Sequence, residues 1–149
     1  LRQGGPKKLN KNYRFLLILH TFVSVGALFG GMAGMIDPHE PLGIPAELLE
    51  GSPFSNYFIP SLILFVVIGL GHGVSALTAR KNSKHQGYIS SIFSWALMIW
   101  IVVQCIIMND VHAAHVFYFL IGLIGAVSAM FILFEQHLFP ANLFKKTPF

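Results

Sequence analysis

A single cysteine, Cys105, stands in a chain of 149 residues. One thiol can form neither an intramolecular disulfide nor a CxxC pair, which excludes the four-helix thiol oxidoreductases. Charge is scarce as well. Asp, Glu, Lys and Arg make up 11% of the chain, against about 25% in soluble domains. There is no GxSxG, no phosphate-binding Gly-rich loop with Lys, no Arg-rich helix and no pair of acids inside an apolar run. The membrane-depth segments hold no carboxylate, which argues against an exporter coupled to protons through an acidic residue. Catalysis has no candidate constellation, so the expectation is a protein that is not an enzyme.

What is abundant is apolar surface: 54% of residues are hydrophobic and mean hydropathy is +0.66. A helix needs roughly 20 mostly apolar residues to cross a bilayer, and four runs of that length are present. They cover about 15–36, 56–79, 88–108 and 112–134. The first follows a basic segment, as the apolar core of a signal peptide does, but it is longer than such cores and reads as a retained transmembrane helix. Residues 37–55 form an outer loop, 80–87 a basic loop and 135–149 a tail whose last part, from Phe139, mixes Phe and Lys as an interfacial segment would. Within the outer loop, Pro45 to Gly51 has Pro at the first position of a short helix and Gly just past its end. Leu48 and Leu49 of that helix are expected against the membrane surface, and Ser52-Pro53 is expected to cap the second span. No internal repeat stands out, so the chain reads as one membrane domain.

Net charge is +4 and the pI about 9.4. In a soluble protein that balance suggests nucleic acid. Here all ten Lys and Arg lie in the N-terminal segment, the 80–87 loop or the tail. Five of the six acids lie in the two opposite loops, Glu135 being the exception. The positive-inside rule then puts both termini in the cytoplasm of a multi-pass protein of the plasma (bacterial inner) membrane, with no nucleic-acid partner. The bias is complete enough to argue against a dual-topology antiparallel dimer, which would need a weak one.

Small residues recur on three spans: Gly26, Gly30 and Gly34; Gly69, Gly73 and Ala76; Gly122, Ala126 and Ala129. Lipid supplies no hydrophobic drive between helices, so close approach depends on such stripes. With short turns between spans, the expected fold is all-α: four transmembrane helices in an antiparallel bundle.

Two histidines stand at membrane depth. His20 lies six residues beyond Arg14, about 9 Å at the helical rise, and His72 eight residues before Arg80, about 12 Å. At matched depth on adjacent helices they can share a hydrogen bond, a ligand, a metal or a haem iron, or simply order the bundle. At the outer side, His112 and His115 share a helix face, and with Asp110 and His39 they form a candidate metal site. The same residues are also ordinary helix-end residues. Trp95 and Trp100 on the third span are either bulky packing groups or walls of an apolar ligand pocket; Gln104, expected to make an interhelical hydrogen bond, is a further candidate ligand-binding residue. Glu135 and His137 are expected to reach headgroups or basic neighbours.

The run LLEGSPFSNYFIPSLILFVVIGL, with Ser52-Pro53-Phe54, Tyr57 and Ile59-Pro60, resembles a stretch of small uncharacterised four-span bacterial inner-membrane proteins. In these a basic loop follows, as Arg80 to Lys84 does here, and the third span carries Trp-Ile-x-x-Gln, here Trp100 to Gln104. The resemblance covers roughly Gly31 to Ile106 and implies the membrane and the fold, with no activity attached. His20, His72, His112 and His115 are not part of the pattern. The functional expectation is a non-enzymatic membrane protein: an accessory or scaffold subunit, or a binder of lipid or an apolar small ligand. Its partners are membrane lipids, with another membrane protein or a second copy as further options, and no cofactor is expected. Two other readings stay open, a bis-histidine haem protein through His20 and His72 and a small-solute transporter or channel.

Overall fold

A computed structural model describes residues 9–136, so the N-terminal lead-in, His137 and the Phe/Lys tail lie outside the described residues. Between these limits every regular element is helical. Four helices are long and apolar enough to cross a membrane: α1 Lys11–Ile36, α2 Phe58–Arg80, α3 Gln86–Met108 and α4 Ala113–Glu135. Each matches an expected span: Ile36 and Met108 end α1 and α3 as expected, and the other ends move by one to four residues. The largest shift carries α1 back to Lys11, and α3 starts two residues early, at Gln86, within the expected loop.

The helix ends follow from local chemistry. α1 stops at Asp37 because Pro38 disfavours helical backbone in the residue before it. The Asp37 carboxylate then accepts the N–H groups of His39 and Glu40 at 3.3 and 3.2 Å. Both α2 and α3 end on an asparagine in the left-handed region, Asn82 (φ 54°) and Asn109 (φ 49°). In each case two backbone bonds close the end: Ser83 N–H to Thr78 and Asn82 N–H to Ala79, then Asp110 N–H to Cys105 and Asn109 N–H to Ile106. This is the paired bonding of a Schellman motif, with Asn in the position usually given to Gly.

The loop after α1 differs from expectation. Residues Ala46–Leu49 form a 3₁₀ turn, and Leu49 is 2% exposed, packed in the protein rather than laid on a membrane surface. Tyr57 holds this loop down, donating its hydroxyl to the Pro45 carbonyl at 3.2 Å and its N–H to Pro38 at 2.9 Å. Burial pushes its phenol pKa up, and Glu47 acts in the same direction. Ser52 does not cap α2. It turns back on Phe54, and the α2 start is served by Asn56, whose side-chain oxygen accepts the Phe58 N–H at 3.0 Å.

Large apolar side chains cover the outer face of the bundle as well as filling its core. On α1, Phe15, Ile18, Phe22, Val25, Phe29, Met32 and Ile36 face outward at alternating three- and four-residue spacing. The inward face carries smaller or polar groups such as His20, Ser24, Ala27, Gly31 and Gly34. A β-carbon on Gly31 would lie 2.7 Å from Phe65 Cβ and 2.8 Å from the Ser61 carbonyl, and one on Gly34 would overlap Ser61 Oγ. Gly31, outside the four-residue stripe read from sequence, is thus where α1 and α2 approach closest to backbone contact. On α4 it is Gly122 and Gly125 that meet α3, at Met98 and Ser94.

α2 is not a uniform α-helix. Leu64–Leu70 winds as a π-helix between two α segments. A wider turn shifts the phase of everything after it, since each residue otherwise advances about 100°. Ser24 of α1 donates to the Gly69 carbonyl in this segment at 2.7 Å, and His72 follows immediately.

Candidate functional site

The lower half of the bundle, towards the basic α2–α3 loop, is joined by one buried hydrogen-bonded chain. His20 on α1 and His72 on α2 meet directly, Nδ1 to Nδ1, at 2.7 Å. His20 Nε2 lies 2.9 Å from Ser90 Oγ on α3, and His72 Nε2 lies 3.1 Å from the Phe93 carbonyl. Ser90 also receives the Gln86 amide, and Gln86 Oε1 receives the Thr78 hydroxyl. His20, His72, Gln86 and Ser90 are all fully buried. Three helices are thereby tied at one depth.

The direction of every proton in this chain follows from its last member. A carbonyl only accepts, so His72 Nε2 carries a proton. In a neutral ring its Nδ1 is then the acceptor, which makes His20 Nδ1 the donor and His20 Nε2 an acceptor. Ser90 therefore gives its one proton to His20 and takes one from Gln86, and Thr78 donates to Gln86. Reversing the Gln86 amide would take the Ser90 proton away from His20. Both nitrogens of His72 would then have to donate, making it a buried imidazolium. The charged residues of the four helices are Lys11, Arg14, Arg80 and Glu135, all at helix ends, so that cation would have no counterion at its depth. The neutral, one-way chain satisfies both rings completely.

That completeness decides what the pair can hold. Two imidazoles on opposite sides of an iron stand about 4 Å apart, at roughly 2 Å per metal–nitrogen bond. Here the facing nitrogens are 2.7 Å apart and the other two are engaged by Ser90 and Phe93. The arrangement does not fit haem. The sequence placed the two histidines at one depth but missed Gln86 and Ser90. Gln86 lay outside the expected span, although its spacing to Ser90, four residues, puts both on one helix face.

The outer histidines serve the start of α4. His115 Nδ1 accepts the His112 N–H at 3.0 Å, and His112 Nε2 lies 3.3 Å from the Asp110 carboxylate. His39 is exposed in the loop after α1. Among the described residues no three of His, Cys, Asp and Glu come together in a way that could hold a metal ion, so the expected ligand set is not assembled.

The upper half of the bundle holds a partly open cavity. A cavity of about 220 Å³ lies between all four helices. Its walls are Val23, Ala27, Leu64, Ile68, Leu97 and Ile101, with Gly26 and Gly30 on the α1 side. Val23, Ile68 and Leu97 stand within one helical turn of His20, His72 and Phe93, so the polar chain sits directly below the cavity floor. Three polar side chains also line it: Gln104, His115 and Tyr118. Gln104 makes no hydrogen bond among the described residues, contrary to expectation. The tryptophans separate as their five-residue spacing requires, about 140° apart around the helix. Trp100 is 7% exposed, packed with Val23, Ile68 and Ile101 next to the cavity, its indole N–H without a partner among the described residues. Trp95 is 55% exposed on the outer face and is no part of a pocket wall. No family model, curated protein or solved structure matches this chain.

Proposed function

We propose that this is a small multi-pass integral membrane protein that binds an apolar or amphipathic molecule between its helices, without catalytic machinery. It is seated in the plasma (inner) membrane as an antiparallel bundle with both termini cytoplasmic, because the basic residues gather at one end and five of the six acids at the other. The observation that carries the binding reading is the cavity of about 220 Å³, apolar in its walls and holding three polar side chains. Apolar concavities with a few convergent polar groups are the usual form of a small-ligand site. In this reading the histidine chain is the frame that fixes α1, α2 and α3 beneath the site. A binder of this kind works alone or as the ligand-carrying subunit of a larger membrane assembly.

Gly30→Leu tests the reading. A β-carbon at Gly30 meets only Leu64 Cδ2, at an ordinary contact distance of 3.5 Å, and Gly30 lines the cavity, so the added side chain is expected to take up cavity space. Native mass spectrometry of the wild-type protein, released from mild detergent, is expected to show a retained small molecule that Gly30→Leu loses. Identical bound mass in both proteins would refute the assignment of the site.

A further inference from the structure

The cavity's polar groups specify the chemistry of its occupant, an inference that rests on the cavity being the binding site. His115 is 9% exposed, and its Nδ1 accepts the His112 N–H. A neutral ring bonded in this way carries its proton on Nε2, so the nitrogen left over is a donor. It has no partner among the described residues. Gln104 brings two further amide donors, and the Tyr118 hydroxyl a fourth. Tyr118 comes close to α1 only because position 26 is glycine: a β-carbon there would lie 2.8 Å from its oxygen. Against these four donor hydrogens the wall offers two acceptor oxygens, one on Gln104 and one on Tyr118. No Lys, Arg, Asp or Glu lines the cavity.

An uncharged wall carrying four side-chain donor hydrogens favours a neutral molecule with an acceptor. An anion would be buried without a countercharge, and a purely apolar molecule would leave the donors unmet. Size narrows the class further. An apolar cavity of about 150 Å³ holds benzene, so about 220 Å³ has room for up to two fused rings. We infer that the site takes a compact, neutral, apolar molecule bearing a carbonyl oxygen, which His115 Nε2–H and the Gln104 amide hydrogen-bond. The carbonyl belongs either to a free cyclic ketone or quinone-like compound or to the ester of a membrane lipid.

The test uses the full chain in nanodiscs and two probes differing by one oxygen, indane and 1-indanone, with empty nanodiscs as the blank. The expected result is about tenfold tighter binding of indanone, with its carbon-13-labelled carbonyl stretch moving to lower wavenumber on binding. Gln104→Leu is expected to remove most of that preference and leave indane binding intact, and Gly30→Leu to abolish binding of both. Gln104→Met, which keeps the length of the side chain and removes its amide donors, serves as a second variant should Gln104→Leu fail to fold, and is expected to reduce the carbonyl shift in the same way. Equal affinity for the two probes with an unshifted carbonyl, both still lost in Gly30→Leu, overturns the inference and leaves the cavity reading standing. Binding of neither probe, or binding unaffected by Gly30→Leu, removes the cavity reading and the inference with it. Ether-lipid and ester-lipid nanodiscs separate the two sources. Equal indanone affinity in both supports a free carbonyl compound, and weaker binding in ester lipid supports the lipid ester as occupant.

Discussion

Ser90→Ala removes one oxygen from the centre of the buried chain and breaks two hydrogen bonds. It leaves His20 Nε2 without its donor and the Gln86 amide without its acceptor, at positions that water does not reach. An unmet buried group costs about 1–3 kcal/mol. Interhelical bonds in membrane bundles average nearer 0.6 kcal/mol, with a maximum of about 1.7, because the unfolded chain in lipid also finds partners. Two bonds lost together then give an expected destabilisation of about 1–3 kcal/mol. The internal control is one helical turn away. Ser94 is equally buried, yet its hydroxyl has no partner among the described residues, so Ser94→Ala is expected to be neutral or slightly stabilising. Both variants can be measured by SDS titration in mixed micelles, following helix content by circular dichroism. Equal losses for the two serines, or no loss at Ser90, would refute the hydrogen-bond reasoning.

Two further outcomes follow from packing and charge. Gly31→Val is expected to cost at least 1–3 kcal/mol in the same assay by overpacking the α1–α2 contact, whereas Gly30→Ala, whose β-carbon has ordinary room, is expected to stay within about 0.5 kcal/mol of wild type. In a Cys105→Ala background, Ser83→Cys in the basic loop is expected to resist a membrane-impermeant maleimide in intact cells while Glu50→Cys in the acidic loop reacts, and the reverse pattern would invert the proposed orientation.

The four long apolar helices were legible in the sequence because four apolar runs carry them directly. The matched depth of His20 and His72 came from counting residues to the nearest basic residue, and the contact between them follows that count. What periodicity cannot carry is which face turns inward. A repeat of four picks Gly26, Gly30 and Gly34, but the closest approach to α2 uses Gly31 and Gly34, because the inward face drifts with 3.6 residues per turn. The π segment in α2 leaves no trace in LFVVIGL, a run that is apolar all round. Leu49 looked like a surface leucine because a loop reading has no tertiary partner to bury it against. The polar residues at the α4 start suggested a metal because helix capping and metal ligation draw on the same side chains. Only their bonding, His115 to the His112 backbone and His112 to Asp110, separates the two. A pocket on the third span was expected with Trp95, Trp100 and Gln104, but only Gln104 lines the cavity, whose other walls come from four helices and leave no local pattern.

The division of roles between a closed polar frame and an open cavity is tested most directly by nitrogen-15 NMR of the histidine rings in the full-length protein at neutral pH. His20→Gln and His72→Gln spectra assign the signals. The account predicts two neutral rings of opposite tautomers, His20 protonated at Nδ1 and His72 at Nε2, with shifts unmoved by added 1-indanone. An imidazolium at either position, matching tautomers, or a ring nitrogen shifted by bound metal would contradict it and move the chemistry of this protein from the cavity to the histidine pair.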